Sequence, residues 1–302
     1  MKLASYTWIG LISLALCLPA CGNKKAPLEG ADSSLLDSNK QEELYVWVEN
    51  ARIRKQADLN AEVVTEIKGG EKVVLTGEKS STKTKVKLRG VDVEDIWVKI
   101  KTGAGKEGWI FKGMLTDDMT RAQAMNDFLI IPDASVGRVK LGATQQQVEA
   151  IFGREFVIEK EIYQEGDAYP GIMVFKDSPL ELQCLMDKGK ISSIYIRQPG
   201  APWHTAEGVK IGTSLTHLVE LNGKDIQFSG WEWDYGGVVL SYNKGKLAAY
   251  EKTLLLYLGE PNSIEGLEEF IGDGNFSSAS KKLPKDQVKV AEMNLSSKEI
   301  AM

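Results

Sequence analysis

Few side chains in this 302-residue chain are placed to do chemistry. Five of them are consecutive: Trp231-Glu232-Trp233-Asp234-Tyr235. Read as an extended strand, whose side chains alternate between faces, the segment sets three aromatic rings on one side and both carboxylates on the other. Same-face residues two apart stand about 7 Å apart at the Cα, a separation that suits an inverting glycosidase pair or a cation site. Carboxylates at this spacing are common by chance, so the rings carry more weight, as core or as a binding platform. His204 follows Pro202-Trp203 in a loop, and His217 falls on the solvent side of a predicted helix. Neither has a cysteine, a serine elbow or a second histidine at useful spacing, so cysteine-peptidase and zinc-amidase chemistry lacks its parts. No phosphate loop or dinucleotide fingerprint is present. No catalytic residue, metal ligand or cofactor is assigned.

The chain has three cysteines. Lys2, an apolar run from Trp8 to Leu18 and the small-residue stretch Pro19-Ala20 before Cys21 have the parts of a secretory signal. That run is about half the roughly 20 residues needed to span a bilayer, and nothing after it reaches that length. Leu18-Pro19-Ala20-Cys21 resembles the lipobox of bacterial lipoproteins. The resemblance implies diacylglyceryl transfer to the Cys21 thiol, cleavage before it, and a further acyl chain on the new amino terminus. One chain holds weakly and two or three anchor stably, at roughly 0.8 kcal/mol per buried methylene. The alternative is an ordinary signal that Cys21 happens to follow. Cys17 leaves with the signal, which leaves Cys184 without a disulfide partner. Alternation places Cys184 beside Leu180 and Leu182, as a small buried hydrophobe.

The expected organisation is a signal peptide at 1–20, a polar tether at 21–43, a small β-barrel at 44–116, a connector at 117–127, an α+β domain at 128–296 and a frayed tail at 297–302. Charge divides with it: 14 basic residues face 10 acidic ones in 44–115, against 19 and 27 in 116–302. Within the barrel region, Tyr45–Val48, Val73–Leu75, Ile96–Ile100 and Gly108–Phe111 are β-rich and separated by turn signals. Asn50-Ala51-Arg52-Ile53-Arg54, Ile67-Lys68-Gly69-Gly70, Trp97-Val98-Lys99-Ile100 and Gly108-Trp109-Ile110 follow one another in the order of the bacterial SH3 (SH3b) pattern, which the segment resembles. Ala57 stands where that pattern has proline, and Met114-Leu115 where it has Tyr-Leu. The resemblance implies an SH3-like barrel that binds cell-wall peptides or proteins and is accessory to catalysis. Tyr45, Trp47, Trp97, Trp109 and Phe111 divide between core and platform, with Trp109 expected in the core. Residues 77–96 form an insertion with a basic half (Lys79, Lys83, Lys85, Lys87, Arg89) and an acidic half (Asp92, Glu94, Asp95). It is read as a solvated edge hairpin guarded by lysines, with an anion-binding patch as the alternative.

The α+β region contains a repeat at an offset of 70 residues: Val139-Lys140-Leu141-Gly142-Ala143-Thr144 and Val209-Lys210-Ile211-Gly212-Thr213-Ser214 each lead into an amphipathic run that ends at Gly153 or Gly223. Thr144 and Ser214 are expected helix caps, and sheet-forming segments follow each helix. Two helix-plus-antiparallel-sheet units result, at about 136–200 and 206–260. The unit resembles, weakly, the repeat of beta-lactamase-inhibitor-like and small outer-membrane-assembly lipoproteins, and over more of its length uncharacterised lipoproteins with a Trp-Asp-Tyr-Gly-Gly segment. That resemblance implies a protein-binding sheet.

The expectation is a mainly β and α+β protein of the bacterial cell envelope, lipid-anchored through Cys21, at the outer membrane rather than the inner. It is expected to act without catalysis by binding peptidoglycan or an envelope protein, with no nucleic-acid partner and its oligomeric state open. Trp47, Trp97, Trp231, Trp233 and Tyr235 are the candidate binding surface. A wall-glycan hydrolase or its regulator, with Glu232 and Asp234, and a structural spacer are the alternatives.

Overall fold

The computed structural model describes residues 42–164, 166–233, 235–261 and 267–297. The signal, Cys21, the tether up to residue 41, Asp234 and the tail after residue 297 lie outside the described residues.

The first seven strands, β1 (Glu43–Val46), β2 (Asn50–Arg54), β3 (Val63–Lys68), β4 (Lys72–Leu88), β5 (Val91–Thr102), β6 (Glu107–Phe111) and β7 (Leu115–Thr116), form one curled antiparallel sheet in the order β3-β2-β6-β5-β4-β1-β7. Alternation closes it around Val46, Ile53, Ile100, Ile110 and Phe111, all at 0% exposure. The insertion is not a separate flap, because β4 and β5 run through it as one long hairpin. Its two halves pair Lys85 with Glu94 and Lys87 with Asp92 across the strands, and Lys85 Nζ sits 2.8 Å from Asp92. Lys85 and Lys87 thus face carboxylates, whereas Lys79 and Lys83 face Val98 and Ile96. Exposed pairs of this kind add little stability. Nor is the hairpin tip solvated, since Leu88 and Arg89 are buried at 6% and 8% exposure.

The expected connector is a packed helix, α1 (Met119–Met125), which begins where the Asp118 side chain accepts from the Arg121 N–H. Ala122, Ala124 and Met125 are buried along it, against β1 and the helix that follows. Strands β8 (Ile130–Ile131), β9 (Ser135–Val136) and β10 (Val139–Lys140) form a small antiparallel sheet that leads into α2 (Gln145–Phe152). Thr144 and Gln147 cap α2 reciprocally, each side chain accepting from the other's backbone N–H, and such a cap contributes about 1 kcal/mol.

Then come β11 (Val157–Glu159), the exposed hairpin β12 (Ile162–Gln164) and β13 (Asp167–Tyr169), β14 (Gly171–Val174), β15 (Leu182–Asp187), β16 (Lys190–Ile196), α3 (Leu215–Asn222), β17 (Gln227–Ser229), β18 (Val239–Ser241), β19 (Leu254–Gly259), β20 (Asn275–Ser277) and β21 (Lys289–Ser296). Six of them make one antiparallel sheet, ordered β11-β14-β15-β16-β21-β19. Cys184 is fully buried on β15, and burial pushes its thiol up to about 12, which makes it inert as a nucleophile at neutral pH.

The two 70-residue copies begin alike. The Gly142 N–H donates to Ile191 O (2.7 Å) and the Ile191 N–H returns to Ala143 O; the Gly212 N–H donates to Val290 O (2.8 Å) and the Val290 N–H returns to Thr213 O. Each copy is thus tied to one of two neighbouring strands, β16 and β21. The second copy reaches its strand only at 289–296: β21 follows the expected end of that unit near 260 and pairs with both β16 and β19.

The segment expected as a strand at Trp231–Tyr235 is instead a turn. Glu232 and Tyr235 take positive φ of 61° and 62°, and Gly236 and Gly237 donate back to Trp233 O and Gly230 O. Aromatic-acid alternation has the period of a strand whether or not the backbone extends, so flanking Gly230 and Gly236-Gly237 decide the conformation.

Candidate functional site

Three of the five candidate surface aromatics are buried: Trp47 at 5% exposure, Trp97 at 2% and Trp231 at 2%. Trp97 donates its indole N–H to Thr84 Oγ1 (2.9 Å) and packs edge-on against Phe111, inside the half-barrel. Trp231 donates to Leu258 O (2.9 Å) and lies among Phe228 and Phe270. Trp47 has a different task. It leaves the half-barrel, donates to Gly113 O (2.8 Å) and meets Phe156 of the α+β region edge-on at 5.6 Å.

Around Trp47 the two halves of the chain are joined. The Arg89 guanidinium, at the tip of the β4–β5 hairpin, lies 5.4 Å from the Trp47 ring and 5.5 Å from Phe175. It is paired with Glu49 at 3.4 Å, with further contacts to Met125 Sδ on α1 and to Oδ1 of Asn126, which caps that helix. Burial lowers its pKa to about 10, against the pull of Glu49. It stays charged at neutral pH, and its cation–π contacts reach about 2 kcal/mol when water is excluded in this way. Gly90 follows with φ +87°, and a Cβ there would stand 1.9 Å from Lys176 O. The hairpin tip is therefore a plug in the α+β region. Arg89 is visible in sequence only as one more basic residue of the insertion; nothing local distinguishes it from Lys87.

On the half-barrel, Tyr45 and Trp109 are both half-buried, and the larger departure from expectation is Trp109. It was expected in the core, but β6 turns Ile110 and Gly108 inward and leaves Trp109 half-buried between its cross-strand neighbours Arg54 and Lys99.

The remaining two candidates lie together. Trp233 and Tyr235 are 41% and 54% exposed, their ring centroids 6.4 Å apart in an edge-on arrangement. The turn that carries them is tied at many points. Trp233 Nε1 donates to Gly230 O (3.1 Å), Ser229 Oγ donates to Tyr235 O (2.6 Å) and the Val238 N–H donates to Ser229 Oγ (2.9 Å). Gly237 completes it with φ +74°, close enough to Leu258 O that a Cβ would fall 2.1 Å from it. Beside Trp233 opens a cleft of about 590 Å³, walled by Glu232, Tyr257, Glu260 and Glu292 with Arg197. Arg197 is held by Glu292 (2.6 Å), Gln183 (2.8 Å) and Gln164 (2.9 Å), and stacks on Tyr195. Glu232 stands on this turn rather than on the expected strand face, and its intended partner Asp234 lies outside the described residues. His204 bridges to Leu129, and His217 contacts Glu220 on the exposed side of α3. Among the described residues no group of three or more His, Cys, Asp or Glu is arranged to hold a metal ion.

Residues 49–116 match the bacterial SH3 domain family model. The match falls on the half-barrel, with the strand order and the long β4–β5 hairpin described above. No curated protein sequence matches the chain. Among solved structures it is similar to the uncharacterized protein yfeY from Escherichia coli, at 13% identity over 54% of this chain and 97% of that one. The TM-score is 0.30, a likeness too faint to bear on fold or function.

Proposed function

We propose that this chain is a lipid-anchored, non-catalytic binding module of the bacterial cell envelope, attached through Cys21 at the outer membrane, whose SH3 half recognises cell-wall material. The match of residues 49–116 to the bacterial SH3 domain carries this reading, since that domain in general suggests a wall-binding module. Trp109, half-buried between Arg54 and Lys99, supports it as an amphipathic contact for a wall polymer. The Leu18-Pro19-Ala20-Cys21 stretch supports the anchor, and the polar residues after it support a tether.

Co-sedimentation of the full chain with purified sacculi tests the reading. Binding that falls about tenfold in Trp109→Ala, with unchanged thermal stability, is the expected result. Equal binding by that variant, or none by the parent, overturns wall recognition by this face. For the anchor, Cys21→Ala is expected to move the protein from the membrane to the soluble fraction.

A further inference from the structure

The docked hairpin tip leaves a cleft of about 480 Å³ where the half-barrel meets the α+β region. Glu49, Lys87 and Arg89 line it from the half-barrel, and Pro179, Leu180 and Pro202 from the α+β region. A concave, mostly apolar site with a few polar groups, placed where two regions meet, is the usual form of a small-ligand site. Arg89 is its unusual part. The Arg89 side chain is 3% exposed, and a buried charge is costly unless its hydrogen-bonding groups are met. Its guanidinium donors are poorly served. Glu49 at 3.4 Å and Asn126 Oδ1 at 3.3 Å stand beyond the roughly 2.7–2.9 Å of a strong charge-assisted bond, and Met125 Sδ is a weak acceptor. Nε donates to no described residue. The Trp47 and Phe175 rings attract the charge but take none of these hydrogen bonds. The guanidinium is therefore buried with much of its bonding capacity unused.

The charges that line the cleft do not cancel. Glu49 answers Arg89, and Asp177, also on the lining, lies 3.3 Å from Lys176. Lys87 is exposed and stands across from Asp92, but the Asp92 carboxylate is bonded to Lys85 at 2.8 Å. Lys87 forms no ion pair with any described residue. One positive charge is left over, which matches a monoanion better than a doubly charged phosphate. A carboxylate also fits the planar fork of a guanidinium. Pro179, Leu180 and Pro202 carry no polar side-chain atom and suit a hydrocarbon neighbour. We infer that this cleft is a binding site for a single carboxylate beside a small apolar group, as at the end of a peptide chain, with Arg89 and Lys87 as its countercharges. Glu49, whose side chain is 37% exposed, is the loosely held partner of Arg89 that an entering carboxylate displaces. None of these residues is part of the Trp109, Arg54 and Lys99 contact proposed above, so the inference does not rest on wall recognition there; either can fail with the other intact.

Titration of the full chain with N-acetyl-alanyl-alanine, followed at the Arg89 Nε–H signal in proton–nitrogen correlation spectra, tests the site. Arg89→Lys assigns that signal by removing it, and Glu49→Gln assigns it independently by shifting it. A saturable shift on titration is expected, with an affinity that weakens as salt rises. The same peptide ending in an amide should bind about tenfold more weakly, and so should acetate, which lacks the apolar groups. Lys87→Gln is expected to weaken binding about fivefold, and Glu49→Gln, which removes the competing carboxylate, to tighten it about threefold. A role of Arg89 in folding alone predicts neither change. No saturable shift, equal binding of the amide or of acetate, or unchanged affinity in both Lys87→Gln and Glu49→Gln overturns the inference. Inorganic phosphate that binds as tightly as the peptide also overturns it, since the site would then not select a single carboxylate.

Discussion

Buried polar atoms show at the residue scale how the core tolerates chemistry it does not use. Tyr242 is 1% exposed and its hydroxyl has no hydrogen-bond partner among the described residues. Burial, with Tyr250 and Glu251 nearby, raises its pKa above the usual tyrosine range. The folded chain thus keeps this proton at a pH where the unfolded chain has lost it. Stability therefore falls as pH rises past about 10, by up to about 1.4 kcal/mol per pH unit for such a group. Tyr242→Phe is expected to be neutral or stabilising by about 1 kcal/mol at neutral pH and to flatten that alkaline decline, as read from urea midpoints between pH 8 and 11. A loss of more than about 1 kcal/mol at pH 7 would reveal a partner for the hydroxyl. The same scale explains why ring positions were hard to read in sequence. Trp47, Trp97 and Trp109 share residue type and β-rich surroundings. What separates them is the partner each meets: Phe156 across the seam, Thr84 and Phe111 inside the sheet, and solvent flanked by Arg54 and Lys99.

Local elements were legible wherever caps or glycines punctuate the chain. Thr144 and Ser214 start α2 and α3, and Gly153 and Gly223 end them, because side-chain oxygen and left-handed φ satisfy helix ends locally. The 77–96 insertion was legible as a hairpin but not as a plug, since only Gly90 meeting Lys176 O and Arg89 meeting Trp47 and Phe175 reveal its destination. Gly90→Ala is expected to cost at least about 2 kcal/mol, from left-handed backbone and the clash with Lys176 O, and to speed amide exchange at residues 88–91. A change below about 0.5 kcal/mol would mean that the tip is not docked. The turn at 231–235 shows the opposite case. Its alternation imitates a strand, and only the bonds from Gly236 and Gly237 fold it back.

Across the whole molecule, the described residues belong to one compact unit, and the SH3 and α+β regions share a continuous core through Trp47, Met125, Phe156 and Phe175. A single calorimetric transition is expected, and Trp47→Ala should lower the stability of the whole by about 3–5 kcal/mol rather than that of the SH3 region alone. Two separated transitions would contradict the shared core. A shared core has a structural consequence: the half-barrel face bearing Trp109 is held in a fixed relation to the α+β region. The sequence by itself determined the order of the SH3 motifs, the repeated Gly-x-Thr/Ser helix starts and the burial of Cys184, because hydrophobic period, capping and turn chemistry act within a few residues. The tertiary structure alone decided that β21 closes the sheet of both copies, that the connector and the hairpin tip join the two regions, and that Trp233 and Tyr235 remain outside while Trp231 turns in. Those outcomes depend on contacts between residues tens of positions apart, and no local pattern encodes which partner a side chain will meet.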